Sequence, residues 1–331
     1  KSSKAKSNSE PFIVVPCEGN SLVLLDRDGQ PIKKVTPRAA SGELVNIVRS
    51  YRGKEDKVFF VASARKLSRL VHRFDGRLEE LGTLDIGSRK NQKVADLALA
   101  DLNTDGTPEL LLGLLGDSVS NELPVHGLYA VDLLSQNILW KDENIFAPGR
   151  IGFEPTKEPS GKDAKNKGKL LALNLPEGVA GGLVEDETSH GGRLNELLMD
   201  DGSSIQWFGA ESLRGDGQID LVVLCVQQEP SRLFLAGIAN DRSVRWKSIL
   251  PIDMISPQLD TITTGDVDGD GVKDWIVLSP DGLILFYSAN GDLIDQFQYG
   301  AEITGACVVH RGKERFLVVT DVDGITAWRF K

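Results

Sequence analysis

The sequence predicts an all-β protein, a β-propeller of about seven four-stranded blades with six or eight as alternatives, and three observations carry that prediction. The unit of apolar strand, Gly/Asp loop and apolar strand recurs along the chain. The recurrence has roughly the length of one blade, and helical periodicity is almost absent. With 331 residues, 40% hydrophobic and 26% charged, the chain is long enough to bury a large core. A sandwich with this many strands would not be expected to repeat itself in sequence.

Three segments show the repeat best: VADLALADLNTDGTPELLLGL (94–114), IQWFGAESLRGDGQIDLVVLCV (205–226) and LDTITTGDVDGDGVKDWIVLS (259–279). A shorter pair, VNIVRSYRGKEDKVFFVAS (45–63) and GACVVHRGKERFLVVTD (305–321), keeps the order but has RGKE in place of the acidic loop. The loop glycines Gly53, Gly106, Gly217, Gly271 and Gly312 are spaced by 53, 111, 54 and 41 residues. Because 111 is close to twice 55, a unit lacking the motif is expected between Gly106 and Gly217.

The second half of each unit recurs as well. SLVLLDRDGQPIKKV, GLYAVDLLSQNILWKDE, LFLAGIANDRSVRWKSI and LILFYSANGDLIDQF each pair two strands across a turn rich in Asp, Asn or Gly. The chain opens with three strands of a blade (FIVVP, SLVLLD, PIKKV) and closes with three (EITGACVV, RFLVVTD, GITAWRF). Residues 11–331 are read as one propeller domain, and residues 1–10, KSSKAKSNSE, as a disordered leader. Residues 143–203, polar and lysine-rich and then glycine-rich and acidic, form either an irregular blade, which makes seven, or an insertion, which leaves six.

The loop DVDGDGVKD (266–274) sets carboxylates on alternate positions, permits a turn at its glycines, and closes with a last carboxylate. Hard oxygen ligands in that number suit Ca²⁺. The expected ligands are Asp266, Asp268, Asp270, the Val272 carbonyl and Asp274. In a second site, DLNTDGTPE, they are Asp101, Asn103, Asp105, the Thr107 carbonyl and Glu109. An ordinary Asp/Gly turn does not need such crowding, since like charges at 4 Å repel by about 1 kcal/mol even in bulk water. An EF-hand requires helices and a glutamate at the twelfth position, where this chain has Leu112 and Val277. A third copy, SLRGDGQID, keeps only Asp216 and Asp220, and Arg214 is expected to take the place of the cation.

On these loops the chain resembles the FG-GAP or VCBS repeats, the calcium-binding propeller repeats also found in integrin alpha-chain heads. The resemblance covers most of residues 94–300. It implies a calcium-stabilised propeller outside the cytoplasm, secreted, periplasmic or at the cell surface, that binds protein or carbohydrate without catalysis. GLYAVDLLSQNILWKDE also resembles the outer half of a quinoprotein repeat. A propeller enzyme, quinone-dependent or acting on polysaccharide, is therefore the alternative.

Other chemistries find little support. A net charge of −10 and no basic strip interleaved with aromatics argue against nucleic acid. No apolar run approaches the roughly 18 residues of a membrane helix. The histidines, His72, His126, His190 and His310, lack zinc-site spacing. His190 and the acids Glu185, Asp186 and Glu187 are read as an exposed loop and a solvated face. Cys17, Cys225 and Cys307 are read as buried free thiols.

Overall fold

Each repeat places a central strand between two neighbours of the same sheet and between two neighbouring sheets, which is why its sequence is a continuous apolar run instead of an alternation. In the computed structural model the chain is an all-β propeller of seven blades. The structure describes residues 13–17, 20–26, 29–37, 45–52, 57–65, 67–85, 92–102, 105, 107–116, 126–142, 148–155, 168–174, 182–186, 195–216, 218–252, 255–256, 259–311 and 314–330. The predicted leader, Asn103, Glu187 and His190 lie outside them.

Residues 1–141 and 142–331 form two compact units. The first unit holds three blades. They are β1 (Ile13–Cys17), β2 (Ser21–Leu25) and β3 (Pro31–Val35); then β4 (Ile47–Arg52), β5 (Val58–Ser63), β6 (Leu70–Asp75) and β7 (Glu80–Asp85); then β8 (Lys93–Ala100), β9 (Glu109–Leu115), β10 (Gly127–Asp132) and β11 (Ile138–Asp142). The second unit holds four. They are β12 (Pro148–Pro155), β13 (Gly168–Asn174), β14 (Gly182–Asp186) and β15 (Asn195–Leu197); β16 (Ser204–Glu211), β17 (Asp220–Gln227), β18 (Arg232–Ile238) and β19 (Val244–Ile249); β20 (Ile262–Gly265), β21 (Asp274–Leu278), β22 (Leu283–Tyr287) and β23 (Leu293–Gln298); and β24 (Ile303–Arg311), β25 (Glu314–Asp321) and β26 (Ile325–Arg329). Strands β12–β15 thus form the fourth sheet, and the first and last sheets have three strands each. Among the described residues no helix is long and apolar enough to cross a membrane.

All pairings within the blades are antiparallel, and the turn residues explain the tight connections. In the first three blades the turn into the last strand begins with an aspartate that accepts backbone N–H groups. Asp26 accepts from Gln30 at 2.8 Å, Asp75 from Arg77 and Glu79 at 2.9 Å, and Asp132 from Leu134 at 3.1 Å and Ser135 at 2.6 Å. These contacts favour the charged carboxylate and hold Asp132 below its ordinary pKa.

Burial falls off from the second strand to the last. Strands β9, β17 and β21 are buried almost end to end, whereas β3, β11, β19 and β23 are largely exposed. Packing runs between neighbouring sheets within each unit. Ile47, Val61, Leu97, Leu112 and Tyr129 join the second blade to the third, and Trp207, Val222, Trp275, Val277 and Tyr287 join the fifth to the sixth. Each such side chain contributes roughly 1.5–3 kcal/mol when fully buried. Small residues set the spacing between blades: a Cβ at Gly265, at the end of β20, would lie 2.3 Å from Val308 Cγ2 in the seventh blade.

Candidate functional site

The two acidic loops occupy the same place in their blades, each joining the first strand to the second: β8 to β9, and β20 to β21. Backbone bonds anchor each loop in the same way. The last acid turns back to accept the N–H of the loop's second residue, Val267 to Asp274 at 3.0 Å and Leu102 to Glu109 at 2.6 Å. The central aspartate accepts the N–H two residues on, Val272 to Asp270 and Thr107 to Asp105, both at 2.7 Å. Two hairpins far apart in sequence thus adopt one hydrogen-bond scheme because their aspartates and glycines fall at the same positions.

In the 266 loop, carboxylate oxygens of Asp266, Asp268 and Asp274 lie within 4.8 Å of one another. Among the described residues this is the one group of three His, Cys, Asp or Glu side chains close enough to share an ion. Asp270 is not in that group; its Oδ1 turns to its own loop backbone. Asp266 is oriented by the N–H groups of Gly269 at 2.6 Å and Gly271 at 3.3 Å. In the other loop Asp101, Asp105 and Glu109 do not form such a group of three among the described residues, and the Tyr51 hydroxyl reaches Asp101 at 3.5 Å from β4 of the preceding blade.

Electrostatics mark the last acid of each loop. Asp274 is 4% exposed, and burial, followed by the charges of Asp268, Asp270 and Asp266, pushes its pKa up to about 6. Glu109 is 1% exposed, and burial pushes it up to about 7, with Asp101 and Asp105 adding to the rise while the Leu102 N–H opposes it. A divalent cation would relieve that repulsion directly, and an all-oxygen donor set fits calcium. Asp266, Asp268 and Asp274 would hold it in the 266 loop; in the 101 loop the assignment of Asp101, Asp105 and Glu109 rests on the sequence pattern.

The degenerate third loop behaves differently. Arg214 Nη1 lies 3.3 Å from Asp220 Oδ1, the counterpart of Asp274, so a guanidinium sits on the acid that a cation would otherwise meet. This loop is tied to the 266 loop by the Lys273 N–H, which donates to the Leu213 carbonyl at 2.9 Å, and by the Lys273–Glu211 ion pair at 3.1 Å.

Several charged contacts have no counterpart in the sequence reading. Arg315, on β25, reaches Asp266 at 3.1 Å. In the first unit the buried Asp96 meets Arg49 at 2.9 Å and Arg65 at 3.0 Å. The only signal available was the recurrence of arginine beside the RGKE loops, which does not say which acid each one meets. The three cysteines are free, and burial pushes Cys225 up to about 12 and raises Cys307.

The fold thus defines the chain as a seven-bladed β-propeller with two like acidic loops. No family model matches the sequence, that of the FG-GAP or VCBS repeats included. No curated protein matches it either. Solved structures show the same fold at low identity. BBS1N, determined in complex with ARL6DN, superposes with a TM-score of 0.67 at 11% identity, covering 98% of this chain and 89% of that one. The Dos1 propeller gives 0.55 at 10%, covering 96% and 74%. The dihydro-heme d1 dehydrogenase NirN in complex with DHE gives 0.53 at 15%, covering 93% and 57%.

Proposed function

We propose that this chain is a calcium-stabilised, non-catalytic interaction propeller that works outside the cytoplasm and binds a protein or carbohydrate partner. The observation that carries the calcium reading is the convergence of Asp266, Asp268 and Asp274 within 4.8 Å at the end of a buried strand. The raised pKa values of Asp274 and Glu109 support it, since each is an electrostatic cost that a bound cation removes. Loops of this kind, assembled from a few carboxylates in a hairpin, suit the millimolar calcium met outside the cytoplasm. The binding role draws support from the likeness to BBS1N, a propeller solved with a protein partner.

Thermal melting of the purified chain in millimolar calcium and in chelator tests the reading. Calcium should raise the melting temperature of the wild type, and Asp268→Ala and Asp105→Ala should each remove part of the effect. Asp216→Ala, in the loop where Arg214 sits on Asp220, should leave it unchanged. A melting temperature indifferent to calcium from micromolar to millimolar would dispose of the calcium reading. A protein and glycan array then addresses the partner, and a quinone-type absorption spectrum in the purified protein would favour the enzyme alternative.

A further inference from the structure

The two acidic loops differ by one carboxylate, and the structure places a compensating charge beside the richer one. The 266 loop has four acids, Asp266, Asp268, Asp270 and Asp274, whereas the 101 loop has three, Asp101, Asp105 and Glu109, with neutral Asn103 where Asp268 stands. On the first acid of each loop lies a side chain from an adjacent blade. For Asp101 it is the neutral Tyr51 hydroxyl; for Asp266 it is the Arg315 guanidinium. The 266 loop also contains Lys273, which pairs with Glu211 at 3.1 Å, so Arg315 is the cation that meets Asp266.

Arg315 is held in place by more than its ion pair. Arg315 and Asp266 are 16% and 17% exposed, so water screens the pair only in part. The guanidinium also lies across the backbone of Gly269, where a Cβ would come within 2.6 Å of Nη1 and Nη2. Gly269 has φ +88°, so a glycine is required there both for the turn and for this approach. The contact uses Asp266 Oδ1, which also accepts the Gly269 N–H. Asp266 is therefore already oriented by its own loop, and Arg315 mainly adds positive charge.

We propose that Arg315 is a built-in counter-cation: it stabilises the 266 loop when empty, weakens its affinity for a divalent cation, and so makes it the weaker calcium site than its charge count alone implies. This rests on the reading that the loop takes calcium. Two effects of Arg315 oppose each other. A unit charge about 5 Å from a divalent ion lowers affinity by on the order of tenfold even in water. The orienting hydrogen bond to Asp266 raises it by a factor of a few at most. Repulsion wins.

The test is isothermal titration with calcium in an Asp105→Asn background, which silences the 101 loop, comparing Arg315 with Arg315→Gln and Arg315→Lys. Arg315→Gln should bind calcium about three- to tenfold tighter and melt lower than its parent in chelator. Arg315→Lys, which keeps the charge, should bind like the parent. Equal or weaker binding by Arg315→Gln while the parent binds calcium would overturn the counter-cation role and leave the calcium reading intact. Calcium binding by neither would overturn both.

Discussion

Glu109 is buried at the end of a strand beside two other acids, and its folded pKa of about 7 lies above the value of about 4.3 expected in the unfolded chain. Without metal, the folded protein therefore keeps a proton between about pH 4.5 and 7 that the unfolded chain has released. Stability should fall as pH rises through that window. Asp274 contributes in the same direction over a lower range, its folded pKa being about 6. Glu109→Gln should remove much of the slope in chelator and be more stable than wild type at pH 8 by about 1–3 kcal/mol. In saturating calcium the sign should reverse, because the variant lacks a charged ligand. Urea unfolding at a series of pH values, with and without calcium, checks both halves; metal-free stability that is flat from pH 4.5 to 8 would contradict the assignment.

Within and between blades, the decisive elements are those that meet a neighbour. Asp96 follows Val94 at an irregularity in the β8 pairing, is 1% exposed, and is shared by Arg49 of β4 and Arg65 of the turn after β5. Arg49 also donates to the Leu97 carbonyl at 3.0 Å, so the cluster ties the second blade to the third. Asp96→Ala would leave two guanidiniums without their shared carboxylate and should cost about 3–5 kcal/mol by chemical denaturation. In the second unit, Gly265 lets Val308 pack against the end of β20. Gly265→Ala should cost about 1–3 kcal/mol through overpacking, and adding Val308→Ala should recover part of the loss. If the two substitutions simply add, the contact is not the cause.

On the scale of the whole molecule, the proposed calcium would act by linkage. At about 1 mM free ion and a dissociation constant of roughly 0.1–1 mM, each loop would gain about 0.4–1.4 kcal/mol. For a chain of this length that corresponds to a melting shift of about 1–4 °C for both sites together. Chelation should lower the melting temperature without unfolding the protein at room temperature. The 101 loop belongs to the first compact unit and the 266 loop to the second, with no shared ligand, so the effects of Asp105→Ala and Asp268→Ala should add. A double variant that still responds to calcium would mean that the ion acts elsewhere.

What the sequence by itself determined was everything satisfied within one hairpin. The blade repeat shows because apolar runs and Asp/Gly turns are local features, and strands such as DWIVL and DLVVLCV were legible because two-sided burial demands unbroken apolarity. The loop around Asp266, Asp268 and Asp274 was legible for the same reason, its acids lying within nine residues. Only the tertiary structure decided what those loops meet. Arg315 is 49 residues from Asp266, and Tyr51 is 50 from Asp101. Asp270 Oδ1 accepts the Val272 N–H, as Asp105 Oδ1 accepts the Thr107 N–H, a bond made inside each hairpin. A hairpin's hydrogen bonds follow from residue type and spacing, whereas a charge at a blade's edge takes its partner from whichever neighbouring blade the packing brings against it, and no local pattern encodes that.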